Sequence, residues 1–279
     1  MVNKTFHEII ELLIDKHCID ISKYEEKFLT KSIEKRLVIT SSSSLEHYKN
    51  YLVENKEEAL CLSTSLNNNY TTIFRNTLTF AVLEHQIIPS LILKKEATRS
   101  KEIRIWSAAC ASGLEAYSMA MLLEEQVNKN NRAISYRIFA TDKSEQQIGE
   151  AQKGIYTEDA LGNVSLKRLN HWFTKHKNTY AIKQELKEKI DFSVFDLFNE
   201  QLSCPPASIF GSFDIVICAN LMFYYKSKYR SLILDKVTGS MTDGGYFVTG
   251  EAERDMLLNN QFKEVALQSA IFQRNTKRG

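Results

Sequence analysis

The sequence predicts an α/β protein with a mostly parallel sheet, preceded by a small all-helical domain. In the first 60 or so residues, apolar side chains recur at helical spacing only. From about residue 101, strand-like and helix-like segments alternate, which is typical of a parallel sheet with helices on both faces. A length of 279 residues is also enough for one main domain and a smaller one.

The composition excludes several classes of protein. Three prolines and ten glycines exclude collagen-like and low-complexity chains. No run of about 18 apolar residues occurs, so no membrane span is expected. The five cysteines form no C-x-x-C pair and the six histidines show no ligand spacing, which indicates a reducing, cytoplasmic setting without a metal site. A formal net charge of +2 argues against a nucleic-acid-binding protein.

The N-terminal region is predicted to hold helices only. The first is amphipathic from Phe6 to Ile14, and its scattered charges do not resemble a signal peptide. A second helix is predicted from Ser22 to Val38, and a third begins at Leu45 with Ser44 as its N-cap. Three asparagines at 67–69 interrupt the pattern and indicate a linker.

The region from residue 101 onward supplies the strands and helices of the predicted sheet. Ser144 and Gln147 have the spacing of a capping box, and Gly154 fits the residue that follows a helix. Helices are expected at 114–127, from Ser144 onward and at 228–240. Strands are expected at 103–110, 135–142, 190–195, 213–220 and 245–251.

Two features lie where an open α/β sheet binds its ligand, at the carboxyl ends of strands. The small residues of AACASG (108–113) would let the backbone approach a ligand, or would simply form a tight packing turn. Asp142, at the end of the next strand, could accept hydrogen bonds from two ribose hydroxyls or cap the following helix. Its place 29 residues beyond Gly113, one βαβ step on, favours the ribose interpretation.

Two further polar and aromatic segments fit the same edge. CANLMFYY (218–225) follows a predicted strand, although its tyrosines could equally be ordinary core or rim aromatics. NYTTIFRN (69–76) joins the helical region to the α/β region, and it could line a cleft or cap a helix.

Taken in order, these segments resemble a known family. The segments are NYTTIFRN (69–76), RIWSAACASGLEAYSMAMLL (104–123), FATDKSEQQIGEAQKGIY (139–156), FDIVICANLMFYY (213–225) and DGGYFVTGEAE (243–253). Together they resemble the CheR family of chemotaxis-receptor glutamate methyltransferases, over nearly the whole chain. The resemblance implies a class I methyltransferase fold, Rossmann-like, with a mostly parallel seven-stranded sheet. It also implies a helical docking domain at 1–66, a linker and active-site helix at 67–100, and a methyltransferase domain at 101–279 with a small β-subdomain at about 165–195.

The resemblance also implies a reaction and its site. S-adenosylmethionine would donate a methyl group to glutamate side chains on receptor cytoplasmic helices, leaving S-adenosylhomocysteine and requiring no metal. Arg75 and Tyr224 would hold the acceptor carboxylate, which is already ionised at neutral pH and therefore needs positioning more than a strong base. The implied cofactor-binding residues are Asn69, Thr71, Arg75, Ala109, Glu115, Asp142, Asp196, Leu197, Cys218 and Ala219.

Some positions depart from the family pattern. Ala219 stands where the family usually has an arginine, and Leu114 where it usually has a glutamate. Two alternatives therefore stay open. One is a methyltransferase acting on a signalling protein outside chemotaxis, and the other is a catalytically weakened docking module.

A lysine stripe gives the helical domain a predicted role. Lys23, Lys27, Lys31 and Lys35 recur every four residues and Arg36 is adjacent, so one helix face would be basic. The resemblance implies that Lys27, Lys31, Lys35 and Arg36 dock on the acidic helical bundle of a chemoreceptor, although a solvated face balanced by glutamates is the alternative. Some members of the family that this chain resembles grip a receptor tether peptide with a glycine-rich loop, and the matching stretch, 171–192, contains no glycine. Binding of a tether peptide is therefore not expected. Neither nucleic-acid binding nor membrane insertion is expected.

Overall fold

The structure, a computed structural model, describes residues 2–67, 70–98, 101–129, 134–208, 211–258 and 262–274. The chain divides into a helical unit, Met1–Asn68 with Phe223–Arg230, and an α/β unit, Asn69–Met222 with Ser231–Gly279. Among the described residues, no helix combines the length and the apolar character needed to span a membrane.

The helical unit contains α1 (Val2–His17), α2 (Glu26–Ile39), α3 (Leu45–Glu54) and α4 (Lys56–Ser65). Its core is built from fully buried apolar side chains, among them Leu13, Leu29 and Leu52. The predicted cap of α3 is confirmed, because the Ser44 side chain accepts a hydrogen bond from the backbone N–H of His47.

Helix α2 begins at Glu26 and not at Ser22, so the predicted start was wrong. Tyr24 instead forms an isolated antiparallel bridge with Tyr225. The Glu25 N–H donates to the Tyr224 carbonyl at 2.8 Å. Ser22 and Lys23 form a turn, and the long-range hydrogen bonds hold Tyr24 and Glu25 outside the helix. Lys23 therefore precedes the helix and does not belong to its basic face.

The α/β unit contains ten described strands in two sheets. In chain order they are β1 (Glu102–Ala108), β2 (Ser135–Asp142), β3 (Ile155–Thr157), β4 (Phe173–His176), β5 (Thr179–Ile182), β6 (Ile190–Val194), β7 (Phe213–Ile217), β8 (Met241–Val248), β9 (Phe262–Glu264) and β10 (Ile271–Arg274). The large sheet has the order β6-β2-β1-β7-β8-β10-β9. Strand β10 is antiparallel to β8 and β9, and the other pairings are parallel. The predicted seven-stranded, mostly parallel sheet is thus confirmed.

The remaining helices follow the same chain order. They are α5 (Thr77–Val82), a π-helical turn (Leu83–Ile87), α6 (Ile88–Glu96), α7 (Leu114–Lys129), α8 (Glu145–Lys153), α9 (Leu166–Trp172), α10 (Gln184–Lys187) and α11 (Ser227–Gly239). Helices α6, α7 and α8 pack against the large sheet. Every residue of β7 is buried, as expected for a central parallel strand covered on both faces.

Three predicted strands end two or more residues earlier than expected, one of them at Ala108 in place of residue 110. The strand expected at 213–220 ends at Ile217, and the one expected at 245–251 lies at Met241–Val248. Beyond Ile217 the chain turns, because Asn220 has a φ of +60° and its N–H group donates to the Glu253 carboxylate. The sequence pattern is apolar on both sides of this turn, so it gives no signal for the turn's position.

The smaller sheet has the order β3-β5-β4 and is antiparallel. Strands β4 and β5 lie within the range 165–195 that was predicted for a small β-subdomain. Strand β3 precedes that range, and β6 at its end pairs with β2 in the large sheet.

Candidate active site

The loop between β1 and α7 adopts an unusual backbone conformation. Ala109, Ala111 and Gly113 have φ values of +61°, +47° and +84°. Left-handed backbone at two alanines is uncommon and costs free energy, so the surrounding structure must impose it. At Gly113 a Cβ atom would lie 2.8 Å from the Cβ of Ala151. Gly113 therefore forms the tight packing turn that was one of the two expectations, while Ala109 and Ala111 remain partly exposed at the end of β1.

Asp142 joins this loop to the end of β2. Its Oδ2 accepts from the Ala111 N–H at 3.0 Å, and its Oδ1 accepts from the Ser144 N–H at 2.9 Å. The cap of α8 is Ser144, whose side chain accepts from Gln147 N–H, so the helix-cap alternative for Asp142 was wrong. Burial raises the pKa of the Asp142 carboxyl above its usual value. The Lys143 N–H also contributes a hydrogen bond to this carboxylate. A carboxylate has about four acceptor positions, so capacity for a ligand hydroxyl remains.

Glu115 lies in the first turn of α7, directly after the loop. Its Oε1 accepts a hydrogen bond from the Ser107 hydroxyl at 2.6 Å. Burial raises the pKa of this carboxyl to about 7, although the Ser107 hydrogen bond and the nearby charge of Arg75 each lower it. Burial therefore favours the protonated form of this carboxyl more than in an exposed glutamate.

Arg75 is an exposed cation in the same unit. Its Nη1 donates to the Tyr70 carbonyl at 3.0 Å, and its Cζ lies 5.3 Å from the centre of the Tyr70 ring. Its positive charge lowers the pKa of the Glu115 carboxyl. Thr71 is partly buried in the same loop, and Asn69 lies outside the described residues.

Asp196 and Leu197 follow β6, the strand beside β2. The Asp196 Oδ1 accepts from the Phe198 N–H at 2.9 Å, which makes a tight turn, and Leu197 is buried. The Phe195 N–H donates to the Asp142 carbonyl at 2.9 Å. This bond ties the end of β6 to the end of β2, so Asp196 and Leu197 flank the Asp142 edge.

Cys218 and Ala219 follow β7, on the other side of β1. Cys218 is buried, and burial raises the pKa of its thiol well above the usual value, so it is neutral at pH 7. Ala219 is partly exposed. Strands β2 and β7 are the two neighbours of β1. The loops after these three strands therefore bring the Asp142, Glu115 and Ala219 segments to one edge of the sheet.

The site predictions omitted Glu253, which shapes the turn after β7. This fully buried carboxylate accepts hydrogen bonds from the N–H groups of Asn220 at 2.8 Å, Met222 at 2.6 Å and Gly250 at 2.9 Å, and from the Thr249 hydroxyl at 2.9 Å. The spacing of Gly250 and Glu253 is that of an N-cap and the third helical residue. That spacing is a sequence signal through which Glu253 could have been found.

Lys27 and Lys31 lie in the helical unit, together with Tyr224. They line an open groove with a volume of about 770 Å³, whose other walls include Phe28 and Lys226. The rings of Phe28 and Tyr224 are 4.6 Å apart. Lys35, one turn further along α2, is exposed. The structure thus brings part of the predicted docking stripe together with one of the two predicted catalytic residues.

Arg36 does not belong to that exposed stripe, contrary to the sequence expectation. Its guanidinium contacts both oxygens of the buried Glu58 carboxylate, at 2.8 and 2.5 Å. The Tyr48 hydroxyl donates to the same carboxylate at 2.6 Å, and burial raises the pKa of this phenol. Arg36 points inward because it is the cation that balances Glu58.

The carboxylates of the site fit the polar groups of S-adenosylmethionine. Asp142 offers carboxylate acceptors suited to ribose hydroxyls, and Glu115 offers a carboxylate suited to an α-ammonium group. In the loop between these acids, the two left-handed residues Ala109 and Ala111 have only methyl side chains. Together with the strand order, these features define a class I S-adenosylmethionine-dependent methyltransferase.

Comparisons with known proteins identify the family within this class of methyltransferases. The family model for the CheR methyltransferase S-adenosylmethionine-binding domain matches residues 69–271, and the chain belongs to the CheR methyltransferase family. A chemotaxis protein methyltransferase of Borreliella burgdorferi is 28% identical over 251 residues, covering 88% of this chain and 86% of the relative. Chemotaxis protein methyltransferase 1 of Pseudomonas aeruginosa is 31% identical over 214 residues, 75% of each chain. An uncharacterized 104.1 kDa protein of Rhodobacter capsulatus is 27% identical over 95% of this chain, which spans only 27% of that protein.

Proposed function

We propose that this protein methylates glutamate side chains on the cytoplasmic helices of chemoreceptors. The products would be glutamyl methyl esters and S-adenosylhomocysteine. The observation that carries the proposal is the exposed Arg75 guanidinium, whose charge lowers the pKa of the Glu115 carboxyl, because it offers a cation for an anionic acceptor. The relatives named chemotaxis protein methyltransferases support the same conclusion. A cytoplasmic location follows from such an acceptor.

The cofactor, when bound, supplies an electrophilic methyl group on a sulfonium. Asp142 would hold the ribose hydroxyls, and Glu115 in its ionised form would attract the α-ammonium group. Leu197 would pack against the adenine, with Asp196, Ala109, Cys218 and Ala219 as further contacts. The main contribution of these residues is to fix the position of the methyl group.

Arg75 would bind the acceptor carboxylate through two parallel hydrogen bonds, since a guanidinium presents its N–H donors as a planar fork. A glutamate acceptor is already ionised at neutral pH, so no residue has to remove a proton. Arg75 would instead align the carboxylate with the methyl group and limit its contact with water.

The groove of the helical unit is suited to an acidic partner. The groove has an aromatic wall of Phe28 and Tyr224, and its lining has four cations, Lys27, Lys31, Lys226 and Arg230, against two acids, Glu25 and Glu26. A receptor helix with acidic residues would gain charge complementarity at this groove, and Lys35 extends the basic face along α2.

The test uses labelled S-adenosylmethionine and receptor cytoplasmic fragments, with detection of base-labile label on the fragment. Arg75→Ala is expected to remove most turnover while S-adenosylhomocysteine still binds in calorimetry. The matched control is Arg137→Ala, because Arg137 is an exposed arginine near the opposite end of β2. Turnover that survives Arg75→Ala would refute the proposed role of this residue.

Ala219 favours a second candidate, a docking module with weakened catalysis, because a methyl group stands at a position where the family usually has a cation. The same experiment separates the candidates. Cofactor binding without transfer to receptor fragments would favour the docking module, and transfer to a different signalling protein would identify another acceptor. The absence of S-adenosylhomocysteine binding would contradict both methyltransferase readings.

A further inference from the structure

The residue immediately before Arg75 has a strained backbone. Phe74 has a φ of +48°, in the left-handed region that bulky residues seldom adopt. Such a conformation persists only where surrounding contacts impose it, and it is frequent at functional sites. The contacts around Phe74 are therefore informative.

Both polar groups of the Phe74 backbone are held by distant side chains. Its N–H donates to the Ser118 hydroxyl at 3.0 Å, across 44 positions of sequence. Ser118 is fully buried in α7, and its own hydroxyl donates to the Leu114 carbonyl at 2.7 Å. The Asn163 side-chain amide donates to the Phe74 carbonyl at 3.3 Å, across 89 positions.

The Phe74 ring is held as firmly as its backbone. It packs edge-to-face on Phe80, with ring centres 5.2 Å apart. The Arg168 guanidinium lies over the ring, with its Cζ 5.0 Å from the ring centre. Arg168 is itself fixed by ion pairs with Glu84 of the π-helical turn at 2.6 Å and with Glu125 of α7 at 2.8 Å.

We propose that Ser118, Asn163 and Arg168 are positioning residues, which hold Phe74 in its left-handed conformation and thereby direct Arg75 toward the acceptor carboxylate. The inference rests on the proposed function of Arg75. An exposed arginine side chain has many rotamers, so fixing the backbone from which it projects lowers the entropic cost of binding a carboxylate. We call Ser118, Asn163 and Arg168 the anchor of Phe74. Ser118 belongs to α7, Arg168 belongs to α9, and its partner Glu84 belongs to the π-helical turn, so several segments together fix the φ angle of Phe74.

The first measurement is tryptic cleavage after Arg75 under native conditions, followed by mass spectrometry of the fragments. Ser118→Ala removes the acceptor of the Phe74 N–H, and we expect cleavage at Arg75 to become about tenfold faster because the loop opens more often. The matched control is Ser240→Ala, which removes another buried hydroxyl, one that donates to the Val237 carbonyl at 2.8 Å. Arg168→Met loosens the anchor from the ring side and provides a second variant if Ser118→Ala folds poorly.

The second measurement separates positioning from general destabilisation. In both anchor variants we expect kcat/KM for a receptor fragment to fall about tenfold, mainly through KM, while the Kd for S-adenosylhomocysteine stays within about twofold. Unchanged cleavage at Arg75, or a parallel loss of cofactor affinity, would overturn the proposal. If the unsubstituted protein methylates no receptor fragment, the proposed acceptor is wrong, and the cleavage rates still decide whether the anchor exists.

Discussion

The carboxyl group of Glu115 is expected to make the folded α/β unit less stable as the pH rises. Burial raises its pKa from 4.5 to about 7, so between these values the folded protein keeps a proton that the unfolded chain has lost. The stabilising contribution of the protonated Glu115 carboxyl to the free energy of unfolding is therefore fully present below pH 4.5, and it is lost as the pH rises through about 7. At about 1.4 kcal/mol for each pH unit, this window corresponds to about 3 kcal/mol.

Glu115→Gln removes the titration and keeps the shape of the side chain. Relative to the unsubstituted protein, the variant is expected to gain about 2 to 3 kcal/mol in free energy of unfolding between pH 5 and pH 8. Urea unfolding followed by tryptophan fluorescence measures this quantity. Both tryptophans, Trp106 and Trp172, are buried in the α/β unit and report on it alone.

Glu145→Gln is the matched control, because Glu145 is an exposed glutamate in the first turn of α8. Its difference in stability from the unsubstituted protein should stay constant across the same pH range. A constant difference for Glu115→Gln as well would refute the conclusion that burial controls this carboxyl. If Glu115 binds the cofactor as predicted, Glu115→Gln should bind S-adenosylhomocysteine more weakly at pH 8, although this variant is more stable there. Residues that are kept for function often lower the stability of the protein in this way.

Three further predictions concern other parts of the molecule. Asp142→Ala should weaken S-adenosylhomocysteine binding at least tenfold in calorimetry, because it removes the predicted ribose acceptor and leaves the N–H groups of Ala111 and Ser144 without this acceptor. Unchanged affinity would show that this edge of the sheet does not bind the cofactor. Glu58→Ala should destabilise the helical unit by about 3 to 5 kcal/mol, since it leaves the Arg36 guanidinium unpaired. Amide hydrogen exchange in α2 and α4 measures this loss of stability, and exchange rates like those of the unsubstituted protein would contradict the prediction. Lys31→Glu should lower the rate of methyl transfer to receptor fragments, most strongly at low salt, with cofactor affinity unchanged; a rate independent of this charge would exclude the groove as the docking surface.

The local structure could be predicted from the sequence to a large extent. Strand β2 begins and ends at the predicted residues, and Ser44 and Ser144 cap the helices assigned to them. Gly154 has the left-handed conformation expected after a helix, with a φ of +60°. The two caps and the Gly154 turn depend on hydrogen bonds between residues a few positions apart, so the sequence contains the whole interaction. The bounds of β2 were visible in its apolar run, although its hydrogen bonds are to the distant strands β1 and β6.

The sequence by itself determined the fold class, through strand–helix alternation and motifs that recur in order along the chain. The tertiary structure alone decided where α2 starts, because residues near Tyr24 pair with a segment about 200 positions away. It also decided that Arg36 points inward to Glu58, and that Phe74 holds a left-handed conformation through Ser118. The physical reason is common to all three, since burial and pairing between distant segments select among conformations that the local sequence leaves close in energy.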